Sequence, residues 1–113
     1  MYGSLYKDGA KMTLQELATR WSCHPNTLYH WLREKHVIQY EKQDHNRIEI
    51  PRFEIERYEF GFPPLYDRCF QKEALQITGF TLTKLNKLRQ SDMIPSNKLI
   101  GRYVYSKKFL RGM

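Results

Sequence analysis

Apolar residues recur at Leu14, Leu17, Ala18 and Trp21, three and four apart, which is the spacing of one face of a helix. Thr13 and Glu16 stand at its start as T-x-x-E. In that box the threonine side chain caps the helix and the glutamate returns to the cap's own backbone N–H. Ser22-Cys23-His24 interrupts the pattern and Pro25 restarts it. Proline suits the first position of a helix, where its missing N–H needs no partner. This second helix is expected to bury Leu28, Trp31 and Leu32 and to turn Tyr29, His30 and Arg33 outward. Apolar and polar residues then alternate in Ile38-Gln39-Tyr40 and in Arg47-Ile48-Glu49-Ile50, on either side of the polar turn EKQDHN. Such a pair of runs predicts a hairpin. Pro51 opens a third helix, PRFEIERYEF, burying Phe53, Ile55 and Tyr58.

A fainter copy of the same pattern follows. Glu73 to Leu88 gives a first helix, Gly79 in the turn, and Thr81 as the cap of a second helix. Ala18 corresponds to Leu75, Ser22 to Gly79, Cys23 to Phe80, Leu28 to Leu85 and Trp31 to Leu88. Val37-Ile38 corresponds to Met93-Ile94, and Ile48 and Ile50 to Tyr103 and Tyr105, with an offset that drifts between about 55 and 57. A second hairpin is expected from Ile94 to Tyr105, turning near SNKLIG, and Ser106 caps a last short helix that holds Phe109. Helix, turn, helix, hairpin, helix is a winged helix-turn-helix order. The fold class expected is mostly α with small β-hairpin wings, in two tandem winged helix-turn-helix units. The first spans 12–60 after an arm over 1–11, and the second spans 68–113 after a linker over 61–67. The prolines of GFPPLYD favour a stiff, extended connector. Tyr58, Phe60, Phe62 and Tyr66 are too apolar for a free linker and are expected to pack between the units.

Charge separates the two copies. Residues 1–60 hold nine Lys/Arg against nine Asp/Glu, and residues 61–113 hold ten against three. The net charge of +7 therefore sits wholly in the second half. Glu49, Glu54, Glu56 and Glu59 gather after the first hairpin, and are expected to face away from any polyanion or towards a basic partner. With 41% hydrophobic and 14% aromatic residues the chain is a folded one. The opening residues are polar and charged, no apolar run is long enough for a membrane span, and Cys23 and Cys69 make no disulfide framework. A cytoplasmic location, in a bacterium or encoded by a phage, and no membrane contact are expected.

From Ala18 to Trp31 the run A-x-x-W-S-C-H-P-N-T-L-Y-H-W resembles the MerR-type and excisionase-type winged helices. Their pattern places a small residue, then G-V-S-P-x-T-L-x-x-W/Y, before the wing. Ala18, Pro25, Thr27, Leu28 and Trp31 match it. Ser22 stands for the usual glycine, Cys23 for the apolar residue and His24 for the serine cap. The resemblance covers about residues 12–55.

In a winged helix of this type the second helix enters the major groove and the wing lies along the backbone or minor groove. The candidate double-stranded DNA contacts of the first unit are then Asn26, Thr27, Tyr29, His30 and Arg33, with Arg47 on its wing. Those of the second are Thr83, Lys84, Asn86, Lys87 and Arg89, with Lys98 and Arg102 on its wing. Lys107, Lys108 and Arg111 complete the set as phosphate contacts. Asn, His and Arg side chains bond base edges, and cations hold phosphates. Cys23, His24, His30 and His36 have no finger or ribbon spacing, so no metal is expected. No phosphate loop, nucleophile motif or paired carboxylates point to catalysis, and no cofactor is expected.

The resemblance implies a small DNA-binding protein, either an excisionase-like recombination factor or a transcriptional regulator of a phage or mobile element. The alternative is an adaptor, similar to a small terminase subunit, whose first unit binds a protein partner such as an integrase, a polymerase or a terminase. The neutral first unit and its acidic third helix favour the adaptor.

Overall fold

The computed structural model describes residues 11–42 and 47–113. The chain divides into two compact units, Met1–Phe60 and Gly61–Met113. Residues 1–10 of the expected arm over 1–11, and residues 43–46 of the expected turn, lie outside the described residues, and Lys11 opens the first strand.

Unit 1 runs β1 (Lys11–Thr13), α1 (Leu14–Arg20), α2 (Pro25–Lys35), β2 (Glu41–Lys42), β3 (Ile48–Pro51) and α3 (Arg52–Tyr58). The capping box closes α1: Thr13 Oγ1 accepts from the Glu16 N–H at 3.1 Å, and Glu16 Oε1 accepts from the Thr13 N–H at 2.9 Å. Pro25 opens α2, and His24 caps it by accepting the Asn26 N–H on Nδ1 at 3.1 Å. An imidazole thus replaces the serine or threonine oxygen usual at this position. Ser22 takes a left-handed conformation (φ 54°) in the turn between the helices. Glycine adopts that shape freely, and any other residue spends about 1 kcal/mol there.

Unit 2 repeats the order. It runs β4 (Arg68–Cys69), α4 (Gln71–Thr78), α5 (Leu82–Gln90), β5 (Asn97–Leu99), β6 (Arg102–Ser106) and α6 (Lys107–Arg111). Thr81 caps α5 by accepting the Lys84 N–H, and Ser106 caps α6 by accepting the Phe109 N–H. Gly79 (φ 72°) ends α4 in the left-handed conformation, matching Ser22. Asp92 (φ 61°) after α5 matches His36 (φ 55°) after α2. The strand orders are the same, β1-β3-β2 and β4-β6-β5, and both sheets are antiparallel. Met12 faces Ile50 across the first sheet as Cys69 faces Tyr105 across the second.

Several sequence expectations change here. Each unit carries a three-stranded sheet instead of a bare hairpin, because β1 and β4 add an outer strand. The described residues form six α-helices with these two sheets, so the fold is mixed α and β. In unit 1 the outgoing strand is Glu41–Lys42, paired with Glu49 and Ile48, and not residues 38–40. Glu41 and Lys42 were expected in the turn. Pro51 caps α3 from outside and does not begin it. Phe53 is exposed and Glu54 is buried, the reverse of the expected face. In unit 2 the turn is Ile100-Gly101, both at positive φ, which suits the twist of a two-residue hairpin. The last helix holds Phe109 as expected, and Leu110 is its buried residue.

Residues 61–67 fold as part of unit 2. Arg68 Nε donates to the Pro63 carbonyl at 2.7 Å and its guanidinium lies over the Phe62 ring. Asp67, in a 3-10 turn over Leu65–Asp67, accepts from the Ser106 hydroxyl and the Lys108 N–H. Those hydrogen bonds, that of Ser106 first, hold its carboxyl below the usual aspartate value. Phe60 and Tyr66 lie on the surface of their own units, while Tyr58 is taken up by unit 1's aromatic cluster.

The unit 1 core centres on Leu17, Leu28, Leu32, Ile50 and Ile55, all fully buried. Trp21, Trp31 and Tyr58 pack beside them with ring centroids 5.3 to 5.7 Å apart. The unit 2 core joins Cys69, Ala74, Leu85, Ile94, Tyr105 and Leu110. Burial pushes the Cys69 thiol up to about 11.

Candidate nucleic-acid interface

The second helix of each unit carries the candidate side chains. In α2, Leu28 and Leu32 are buried, which turns Asn26, Thr27, His30 and Arg33 outward, where they are exposed. Tyr29 is half-buried beneath the Arg33 guanidinium, 5.5 Å from its ring centre, and beside the His30 ring. The spacing of one helical turn brings Tyr29 and Arg33 together. Arg47 is exposed at the foot of β3, next to the hairpin tip that lies outside the described residues.

In α5, Leu85 is fully buried and Thr83, Lys84 and Lys87 are exposed. Lys84 lies over the Phe80 ring at 4.3 Å. Lys98 is exposed on β5, 5.9 Å from the Tyr103 ring. Asn86 and Arg89, expected on the solvated face, are half-buried instead. The Arg89 guanidinium stacks on the Tyr103 ring at 3.8 Å and donates to Asn86 Oδ1 at 3.2 Å. Arg102 is half-buried and stacks on Phe70 at 4.0 Å. Lys107 is drawn to Glu73 in an ion pair of 3.5 Å, so its charge is partly spent within the unit. Lys108 and Arg111 are exposed on α6.

The structure therefore gathers Asn86, Arg89 and Arg102 and leaves Lys84, Lys87 and Lys98 as outward cations of the same unit. Sequence reasoning missed Lys72, Phe70 and Tyr103, which meet Arg89 and Arg102 around one cavity. Phe70 precedes a helix with no cap and Tyr103 reads as a strand residue, so neither carried a signal by itself.

The acidic group of unit 1 takes a different place from the one expected. Glu59 is buried and accepts two bonds from Arg20, at 2.9 and 2.7 Å, and one from Trp21 Nε1 at 2.6 Å. The Glu59 hydrogen bond raises the Arg20 pKa. Glu54 accepts the Gln39 backbone N–H at 3.0 Å and Arg57 Nη2 at 2.8 Å, while Arg57 also holds the Val37 carbonyl. Glu49 and Glu41 lie near Lys11, at 3.9 and 2.8 Å. Of the acids after the hairpin, Glu56 alone is exposed. Two of the carboxylates read as a docking face thus hold the unit together.

Hydrogen bonds from Arg57, then from the Gln39 backbone, keep the Glu54 carboxyl below the ordinary value of 4.5. A carboxyl with a depressed folded-state pKa adds stability above that ordinary value and loses it as pH falls through the folded one. Unit 1 is expected to weaken as pH drops below about 4.5, and Glu54→Gln to flatten part of that fall. Urea unfolding followed by tryptophan fluorescence at several pH values checks this; an unchanged pH profile in the variant contradicts it.

Among the described residues no group of three or more His, Cys, Asp or Glu gathers to hold a metal ion, and no helix is long and apolar enough to cross a membrane. Compared with protein-family models, curated proteins and solved structures, the chain matches none.

Proposed function

We propose that this chain is a small double-stranded DNA-binding protein with two winged helix-turn-helix units in tandem, in which α5 and the β5–β6 hairpin form the principal contact. The observation that carries this reading is the coincidence of charge and shape in unit 2. All of the net charge lies there, and Lys84, Lys87 and Lys98 project from the second helix and the hairpin. Those are the two elements that a winged helix lays on a duplex. The same element order and the same left-handed turns in unit 1 support α2 as a second groove reader, with His30 and Arg33 at its exposed face. An excisionase-like recombination factor or a compact regulator of a phage or mobile element fits a chain that bridges two groove segments.

The adaptor reading keeps one observation: unit 1 is neutral and presents Phe53 at 53% exposure on α3. It loses its other support, since Glu54 and Glu59 are buried.

Two pairs of substitutions at exposed positions separate these readings. Lys84→Ala with Lys87→Ala is expected to weaken duplex binding about tenfold or more and to reduce the salt slope by about two. His30→Ala with Arg33→Ala is expected to weaken binding to a selected site while sparing random duplex. Fluorescence anisotropy on both duplexes reads the outcome. Full binding by the first pair contradicts the proposal. Full site affinity in the second pair removes the tandem reader and leaves unit 1 to a protein partner.

A further inference from the structure

We propose that unit 2 contains an oxyanion site that holds a single phosphate group. The site is a cavity of about 500 Å³ between the start of α4, the side of α5 and the turn of the β5–β6 hairpin. Three cations line it, Lys72, Arg89 and Arg102, and no carboxylate does among the described residues. Phe70 and Tyr103 form its aromatic walls, and each carries one guanidinium, Arg102 at 4.0 Å and Arg89 at 3.8 Å. A guanidinium stacked on a ring is held with its planar fork of N–H donors in a fixed orientation, the geometry that suits phosphate oxygens.

Comparison of the two units gives an independent reason. Arg89 stands eight residues after the α5 cap Thr81, as Leu32 stands eight after the α2 cap His24. Leu32 is fully buried. Unit 2 therefore places an arginine where its sister unit places a core leucine. The fold itself does not ask for that charge. Arg89 Nε is shielded from solvent and has no hydrogen-bond partner among the described residues. Likewise Phe70 occupies the cap position that Thr13 fills in unit 1, and no side chain caps α4. Gln71 and Lys72, at the positive end of α4, line the cavity. The aromatic residue that removes the cap also seats Arg102.

The phosphate could come from a duplex backbone or from a free phosphate. The chemistry is shared, and the site stands apart from the duplex-binding reading. The arginine Nε–Hε and backbone amide resonances of the labelled full chain are followed while inorganic phosphate is added at constant ionic strength, and separately while duplex is added. Saturable shifts of Arg89, Arg102 and Lys72 with inorganic phosphate are expected, with about tenfold weaker binding in Arg102→Gln. Lys72→Gln, at an exposed position, is expected to show the same loss where Arg102→Gln disturbs folding. Shifts with phosphate but no duplex binding leave the site standing and remove the DNA reading. Saturable phosphate shifts together with duplex binding that leaves these resonances in place assign the site to a free phosphate and spare the DNA reading, whereas no shift with inorganic phosphate overturns the site. Shifts that rise linearly, or spread evenly over all lysines, overturn the site as well.

Discussion

Glu59→Ala is expected to destabilise unit 1 by about 3–5 kcal/mol, the usual consequence of removing one partner of a buried ion pair. Glu59 is 7% exposed and accepts three hydrogen bonds, two from Arg20 and one from Trp21. Alanine removes the acceptor that the half-buried Arg20 guanidinium and the buried Trp21 indole N–H share. It also unties the end of α1 from the end of α3. A unit of this size has a total stability on the order of 3–9 kcal/mol, so the loss is comparable to the whole. Glu59→Gln retains an acceptor for Trp21 and should lose less. Pairing Arg20→Met with Glu59→Leu should recover much of the difference, because removing both charges is far cheaper than stranding one. Trp21 and Trp31 are the two tryptophans of the chain and both lie in unit 1, so urea unfolding by tryptophan fluorescence reads this unit alone. A shift worth under about 1 kcal/mol for Glu59→Ala would contradict the role given to this carboxylate.

What the sequence disclosed and what it hid follow from the range of the interactions concerned. Caps are local, and Thr13, Pro25, Thr81 and Ser106 all take the places their neighbours imply. The second arm of each hairpin is legible because Ile48 and Ile50, or Tyr105, reach into a core, although in unit 2 Val104 is buried where Tyr103 was expected. The outer strands β1 and β4 are three and two residues long, too short for a period to show. Glu59 reads as a surface acid because its partner Arg20 is 39 residues away. The charge of Arg89 marks it as an outward residue of α5, yet it stands one turn after buried Leu85 and packs on Tyr103 from β6. The cavity draws Phe70, Arg89 and Arg102 from three separate elements, so no stretch of sequence contains it. The resemblance to MerR-type and excisionase-type proteins rests on the first unit, whereas the charge that motivates a duplex contact rests on the second. Both units have the same order of elements, so the helix that carries the motif in the first has a basic counterpart in the second.

The second large effect concerns salt. If α5, the β5–β6 hairpin and α6 together neutralise about five phosphates, counterion release sets a slope of roughly −4.5 in log affinity against log salt. Lys84, Lys87, Lys98, Lys108 and Arg111 are exposed and suited to this. Neutral unit 1 contributes little to this slope, since its cations and acids balance. Titrating the full chain against a random duplex of about 30 base pairs, from about 50 to about 200 mM salt, measures it directly. Binding at the low end that weakens several-hundred-fold, by roughly 500, across that range is the expected result. No binding at low salt, or an affinity that changes less than about threefold, would contradict the assignment of unit 2 to duplex DNA.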